Sequence, residues 1–63
     1  MGDPIMEFFE YEHLPPVLAD ASKPFCELAQ RLEETLPPSA ERSVALRKLL
    51  EGKDAAVRAL LFR

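Results

Sequence analysis

The chain has 63 residues, one cysteine and a formal net charge of −3 at pH 7. Such a length allows one domain at most, and a single cysteine excludes an intramolecular disulfide. The negative charge disfavours a DNA-binding protein, because such proteins need a basic face that displaces counterions. No His and Cys residues have the spacing of metal ligands, so we expect no metal site. No apolar run approaches the roughly 20 residues of a membrane span, and the first residues lack a signal-peptide pattern.

Self-association is expected from size alone. A chain this short buries too little apolar surface to be comfortably stable as a monomer unless a disulfide, a metal or a partner supports it. Since 48% of the residues are hydrophobic, there is enough apolar surface for both a core and a subunit interface. The composition therefore predicts a compact homo-oligomer.

The N-terminal part divides into a tail and an arm. Residues 1–7 are predicted to form a flexible tail, because their first six residues contain Gly and Pro and show no periodicity. Residues 7–13 alternate between apolar and acidic side chains, which favours an extended arm over a helix. One side of this arm would carry Phe9, Tyr11 and His13.

The aromatic residues of the arm have two expected uses. Phe8 and Phe9 are expected to plug the open end of a helical hairpin. Tyr11 and His13 have polar tips as well as rings, so they are candidates for contact with a ligand or a partner.

A first helix is predicted over about residues 15–36. Pro24 interrupts it, and two outcomes are open. Either the helix is kinked at Pro24, or a first turn ends near Asp20 and the main helix restarts with Ser22 as its cap. Both leave Lys23 beside a backbone irregularity with its ammonium free to reach outward. The apolar positions have near-heptad spacing, at Leu14, Leu18, Ala21, Phe25, Leu28, Leu32 and Leu36.

A turn at residues 37–39 and a second helix over about residues 40–61 complete the chain. Pro37 and Pro38 cannot continue the first helix, and Ser39 can cap the second. The predicted fold is all-α, a single αα-hairpin domain over residues 8–63 with a short N-terminal aromatic arm. The apolar side of the second helix, which is expected to face the first, consists of Leu46, Leu49, Leu50, Ala56, Val57 and Leu60.

No arrangement of residues supports an enzyme. The chain has only two glycines and no glycine-rich phosphate loop, and no paired carboxylates or Ser-His-Asp set can be argued. Cys26 is expected to be a small packed hydrophobe. We therefore expect no catalytic residue and no cofactor.

Three stretches resemble phage proteins that carry the anti-CBASS and anti-Thoeris hairpin domain. The first is Phe-Glu-Tyr-Glu-His at 9–13, which is similar to an aromatic-x-Tyr-x-His arm in that family. The second is Lys-Pro-Phe at 23–25 with Glu-Leu-Ala at 27–29. The third is Leu-Pro at 36–37 with Glu-Arg-Ser at 41–43 and Ala-Leu-Arg-Lys-Leu at 45–49. Together they cover roughly residues 8–61.

The resemblance implies sequestration of signalling nucleotides. Proteins of this family bind the cyclic oligonucleotides that a bacterium makes on infection and do not cleave them, so the CBASS effector is not activated. The implied ligands are cyclic dinucleotides such as 3′,3′-cGAMP and, at separate sites, cyclic trinucleotides. The implied assembly is a hexamer with dinucleotide pockets between pairs of subunits, in the cytoplasm of the infected host.

The same resemblance implies which residues bind the ligand. Tyr11 matches the family tyrosine that stacks on a base, and Lys23 matches the lysine that contacts a phosphate. Arg42 and Ser43, near a helix N-terminus, would add donors to a phosphate. The full set of implied ligand residues is Tyr11, His13, Lys23, Arg42, Ser43 and Arg58, of which Arg58 would serve the trinucleotide.

Two other functions compete with the nucleotide sponge. One is an oligomeric interaction module that inhibits a host protein through its acidic, aromatic arm, and the other is a structural hairpin without a ligand. The positions of Tyr11 and Lys23 distinguish the nucleotide sponge from the interaction module. A common inter-subunit cleft for both residues favours the sponge, whereas burial of Tyr11 with Phe8 and Phe9 inside one subunit favours the interaction module.

Overall fold

A computed structural model describes residues 3–62 and shows an all-α helical hairpin with no strand among those residues. A 3₁₀ helix spans Pro4–Phe9, and two long helices follow, α1 at Pro16–Thr35 and α2 at Ala40–Leu61. The long helices pack against each other, and the 3₁₀ helix packs against both. The predicted all-α hairpin is confirmed, while its assembly into an oligomer stays a prediction.

Local signals set the turn between α1 and α2. The helix bounds lie within a residue of those expected from the prolines and the cap. The Leu36 amide still bonds the Leu32 carbonyl at 3.0 Å, and the chain then becomes extended before Pro37. Ser39 caps α2, because its Oγ accepts a hydrogen bond from the Arg42 amide at 3.1 Å. The cap satisfies one of the amides that every helix N-terminus leaves open.

Helix α1 continues through Pro24 without a break. The alternative in which a new helix restarts after Asp20 with Ser22 as cap is therefore wrong. Ser22 is fully buried inside the helix, and its Oγ has no hydrogen-bond partner among the described residues. Pro24 cannot donate the amide hydrogen bond of its position, and its ring crowds the preceding turn. Packing of the turns on either side, through Ser22, Cys26 and Ala29, compensates for this cost.

The N-terminal segment, residues 3–14, differs from the predicted tail and extended arm. Its 3₁₀ helix begins after Asp3, whose carboxylate accepts a hydrogen bond from the Ile5 amide at 3.2 Å. A capping carboxylate followed by Pro4 favours a helical turn. This turn was not predicted, because the segment shows no apolar periodicity. A second turn follows, in which the Leu14 amide bonds the Tyr11 carbonyl at 3.0 Å. The first two residues of the predicted tail lie outside the described residues.

The N-terminal segment lies along the groove between the two long helices. The Asp3 amide donates to the Glu33 carboxylate near the turn, and the Phe8 carbonyl accepts from Lys53 Nζ at 2.7 Å further along. Phe9 is fully buried, but it lies against the middle of the hairpin and does not plug its open end. Phe8 is 61% exposed, so its predicted burial is wrong.

The core of the described chain is small. Its buried members are Phe9, Ser22, Cys26, Ala29 and Leu46. Larger apolar side chains remain exposed, at Phe8, Val17, Leu28, Leu36, Val44, Leu61 and Phe62. In residues 3–62 no helix combines the length and the apolar character needed to cross a membrane.

Candidate functional site

A cleft of about 560 Å³ opens between the end of the N-terminal segment and α1. Its volume lies within the range of small-molecule sites, about 300–1,000 Å³. We call it the Tyr11 cleft. It is lined by Glu10, Tyr11, Glu12, His13, Cys26, Glu27 and Gln30.

Tyr11 and His13 reach this cleft because of the turn that follows the 3₁₀ helix. The hydrogen bond between the Leu14 amide and the Tyr11 carbonyl closes that turn. Tyr11 is half-buried and packs against the core, whereas His13 is exposed. Two of the six predicted ligand residues therefore share one cleft.

The Tyr11 cleft is negatively charged. Glu10, Glu12 and Glu27 line it, and none of the Lys and Arg residues in the described range 3–62 does. The Cys26 thiol responds to this field: burial raises its pKa above the ordinary 9.0, and the carboxylates of Glu27, Glu12 and Glu10 raise it further. A phosphate in this cleft would therefore need cations from outside its walls.

Lys23 is close to the Tyr11 cleft but does not line it. The residue is exposed on α1. It precedes Glu27 by four positions and Gln30 by seven, so all three lie on one face of the helix. Helix α1 therefore places Lys23 one turn beyond the cleft, toward the open end of the hairpin.

Arg42 has a structural role in the described subunit. Its Nη1 donates to the carbonyl oxygens of Glu33 and Leu36, each at 3.2 Å, and its Nη2 lies 3.8 Å from the Asp3 carboxylate. The side chain is only 11% exposed. These contacts use both terminal nitrogens, while Nε is buried without a hydrogen-bond partner among the described residues. In the described subunit Arg42 is therefore directed at the hairpin turn, and its contact with a ligand stays a prediction.

Ser43 and Arg58 lie on α2, away from the Tyr11 cleft. Both are exposed. The Ser43 amide bonds the Ser39 carbonyl at 3.1 Å, and the Arg58 carbonyl accepts from Phe62 at 2.9 Å. A single subunit therefore does not bring the six predicted residues together, and neither of these two touches the cleft.

Five residues that line the cleft were not predicted as site residues: Glu10, Glu12, Cys26, Glu27 and Gln30. The acids next to Tyr11 are visible in the sequence as part of the arm. Cys26, Glu27 and Gln30 could be recognised only once the N-terminal segment was known to fold back onto α1.

A second cleft of about 410 Å³ lies beside the first. It is lined by Asp3, Pro4, Met6, Glu7, Glu10, Cys26, Gln30 and Glu33. Despite the many carboxylates, no group of three or more His, Cys, Asp or Glu residues within 3–62 is placed to hold a metal ion.

Comparison with known proteins found no match: no family model, curated protein or solved structure matches the chain. A functional assignment therefore rests on the geometry of the described residues.

Proposed function

We propose that the protein binds cyclic oligonucleotide immune signals and sequesters them without cleavage, as a phage anti-defence protein acting in the cytoplasm of the infected host. The observation that carries this proposal is the half-buried ring of Tyr11 in a cleft of about 560 Å³, with Lys23 on the adjoining face of α1. An aromatic ring and a nearby ammonium are what a base and a phosphodiester require.

The chemistry of the ligand fits these two residues. Stacking of a base on an aromatic side chain is worth about 1–3 kcal/mol. Tyr11 is anchored by its packing on the core, so little conformational freedom is lost when a base stacks on its exposed face. Lys23 is exposed and supplies a point charge for a phosphate oxygen.

The negative charge of the Tyr11 cleft makes a second subunit part of the proposed site. A cyclic dinucleotide carries two phosphates, whereas three glutamates line the cleft and, among residues 3–62, no Lys or Arg does, with Lys23 on the adjoining face of α1. The exposed apolar side chains and the small core support self-association, for which we propose a hexamer. Pockets shared between subunits would add the missing cations.

Calorimetric titration with 3′,3′-cGAMP tests the proposal. Wild type is expected to bind it, and Tyr11→Ala is expected to weaken binding by roughly 5- to 150-fold, the equivalent of losing one stacked base. Tyr11→Phe keeps the ring and should bind. Phe8→Ala is the matched control for Tyr11→Ala, because Phe8 is an exposed aromatic residue outside the cleft. Arg31→Ala is the matched control for Lys23→Ala, because both cations are exposed on α1.

Ligand recovery separates a sponge from an enzyme. After denaturation, chromatography should return the nucleotide intact. A protein that leaves a panel of cyclic di- and trinucleotides unbound, or returns cleaved product, contradicts the proposed function.

The acidic character of the Tyr11 cleft favours a second candidate function, an interaction module that inhibits a host protein. Glu10, Glu12 and Glu27 beside an aromatic ring suit a cationic side chain of a partner, through ion pairing and cation–π contact. If no cyclic nucleotide binds, a pull-down that identifies one partner and fails with Glu12→Lys/Glu27→Lys supports this function.

A further inference from the structure

One side of the hairpin is open in the described chain, residues 3–62. The N-terminal segment lies on the other side, where it forms clefts with Cys26 and Gln30 of α1 and is bonded by Lys53 of α2. The helical period turns a different set of residues away from these contacts. We call this open side the back face. On α1 it consists of Val17, Ala21, Pro24, Phe25, Leu28, Leu32 and Thr35, and on α2 of Ala45, Leu49, Gly52, Ala56 and Ala59.

The back face is apolar. Its α1 strip contains no charged residue along its whole length, from Val17 to Thr35. On α2, Glu41 and Lys48 lie at the outer margin of the strip, where both are exposed. Val17 is 59% exposed and Leu28 is 46% exposed, so large apolar side chains of this face remain in contact with solvent. Their removal from water would be favourable by about 25 cal/mol per Å².

The two strips of the back face differ in the size of their side chains. The α1 strip is a ridge of mainly Val, Pro, Phe and Leu, whereas the α2 strip consists of Ala and Gly apart from Leu49. Small residues let another helix approach closely, so the α2 strip forms a shallow furrow beside the ridge. A ridge and a furrow on one face are complementary in shape, which suits contact between two copies of the same face.

The size of the back face also suits a dimer. The Cα atoms of the subunit extend over 37 × 18 × 15 Å, so a long side covers about 560–670 Å² in projection before side chains are added. A standard interface buries about 800 Å² of accessible surface per partner, and accessible surface exceeds its projection. The subunit exposes 4633 Å², which is more than the roughly 4,100 Å² expected of a folded monomer of 7.1 kDa.

We infer that the back face binds the back face of a second copy of the chain, in a four-helix pair whose twofold axis is parallel to the helices. This axis places the α1 ridge of each copy on the α2 furrow of the other. A Cβ at Gly52 would lie 3.5 Å from the Phe25 ring, so these two residues are level in the hairpin, and the rotation preserves levels. Val17 of one copy therefore lies against Ala59 of the other, and Leu28 lies one turn from Gly52.

This pairing is compatible with the proposed nucleotide site. It rests on the homo-oligomer of the proposed function and names a surface that forms it. The back face lies across the hairpin from the Tyr11 cleft, so a paired subunit keeps that cleft open to a ligand. Because a twofold pair is closed, a hexamer would need a second contact, and the side that carries the N-terminal segment stays available for it.

A charged side chain on the back face tests the inference through the mass of the protein in solution. Wild type is expected to be a dimer or a multiple of one. Leu28→Glu should associate at least about tenfold more weakly, because the pair would bury a carboxylate without a partner. Val44→Glu is the matched control: Val44 is exposed to a similar extent, 42%, but on the outward side of α2, so its substitution should keep the wild-type mass.

Thiol reactivity provides a second measurement that needs no disruptive substitution. Leu28→Cys and Val44→Cys each add one thiol to Cys26, which is buried and supplies the background rate in wild type. Where the pair forms, the thiol at position 28 should react with a maleimide at least about tenfold more slowly than the thiol at position 44, because only dissociated subunits expose it. Dilution that dissociates the pair should remove this difference.

Three outcomes would overturn the inference: a wild-type monomer, a Leu28→Glu variant that associates no more weakly than Val44→Glu, or a thiol at position 28 whose rate is independent of concentration. Titration with 3′,3′-cGAMP is measured separately, so the two proposals can fail independently. A pair that forms through the back face but binds no nucleotide removes only the sponge. Nucleotide binding by a protein that associates without the back face removes only the pairing.

Discussion

At the residue scale, Arg42 connects all three parts of the fold. It sits in the first turn of α2, donates to two carbonyls at the end of α1 and pairs with Asp3 at the start of the N-terminal segment. The last carbonyls of a helix have no partners of their own, so a guanidinium that reaches them from the next helix closes the hairpin turn. A single side chain thereby sets the position of the N-terminal segment near the turn.

Arg42→Ala is expected to destabilise the protein by about 2 kcal/mol, because two hydrogen bonds from a charged donor and the ion pair with Asp3 are lost. Urea unfolding followed by circular dichroism, at one fixed protein concentration, measures the change. Arg31→Ala is the control, since Arg31 is exposed on α1 and should change stability by less than about 0.5 kcal/mol. Equal losses in both variants would contradict a structural role for Arg42.

At the element scale, both long helices contain a residue that disfavours a helix interior. Pro24 would cost about 3 kcal/mol or more in an isolated helix. Yet α1 stays continuous, because the turns on either side of Pro24 contribute Ser22, Cys26 and Ala29 to the core. Tertiary packing therefore outweighs the local preference that made a break plausible.

Gly52 is the corresponding residue of α2, and its replacement is expected to be stabilising. A Cβ added there would lie 3.5 Å from the Phe25 ring, an ordinary van der Waals contact, so no clash opposes the gain in helix propensity. Gly52→Ala should stabilise the protein by roughly 0.5–1 kcal/mol. Thermal unfolding at fixed protein concentration measures this.

The reverse substitution on the same helix is the control for Gly52. Ala55→Gly removes an exposed Cβ from the interior of α2 and should cost about 1 kcal/mol. A loss of stability in Gly52→Ala would mean that the approach of Phe25 requires the absence of a side chain at this position.

At the scale of the whole molecule, the N-terminal segment completes the core. The hairpin alone offers Cys26, Ala29 and Leu46, and Phe9 fills the space between them from the segment. The Phe8 carbonyl, bonded by Lys53, holds the neighbouring residue in place. The segment is therefore a structural part of the domain as well as one wall of the Tyr11 cleft.

Phe9→Ala tests the contribution of the segment. Because Phe9 is fully buried, its truncation should cost about 3–5 kcal/mol and detach the segment from the hairpin. Phe8→Ala is the matched control: the same substitution one residue earlier, at a side chain that is 61% exposed, should cost less than about 1 kcal/mol. Chemical unfolding measures stability, and amide hydrogen exchange of residues 5–14 reports the attachment of the segment.

The proposed nucleotide site belongs to this scale too. Tyr11 and His13 reach one cleft only because the segment folds back onto α1, and the periodicity of that helix places Lys23 one turn beyond the cleft. Further exposed cations of the chain, Arg47, Lys48 and Arg58, lie on α2, so the proposed site includes pockets shared between subunits.

The hairpin itself was predictable from the sequence. Helical spacing of apolar residues, Pro37 and Pro38, and the Ser39 cap all act within a few residues of one another, so they determine where α1 ends and α2 begins without reference to the rest of the chain. Tyr11 and His13 were likewise predicted as site candidates from the chemistry of their side chains.

Only the tertiary structure decided the rest. The Asp3 amide meets a carboxylate 30 positions away and the Phe8 carbonyl meets an ammonium 45 positions away. Such contacts depend on how the helices are placed relative to the segment, so the local sequence pattern does not predict them. For this reason the opposite fates of Phe8 and Phe9, the structural use of Arg42 and the acidic lining of the Tyr11 cleft escaped prediction. The 3₁₀ helix, by contrast, has a local signal in the Asp3 cap before Pro4, although its residues show no apolar periodicity. Short-range backbone preferences determine the helices, whereas burial and charge pairing between distant residues determine how the N-terminal segment lies on them.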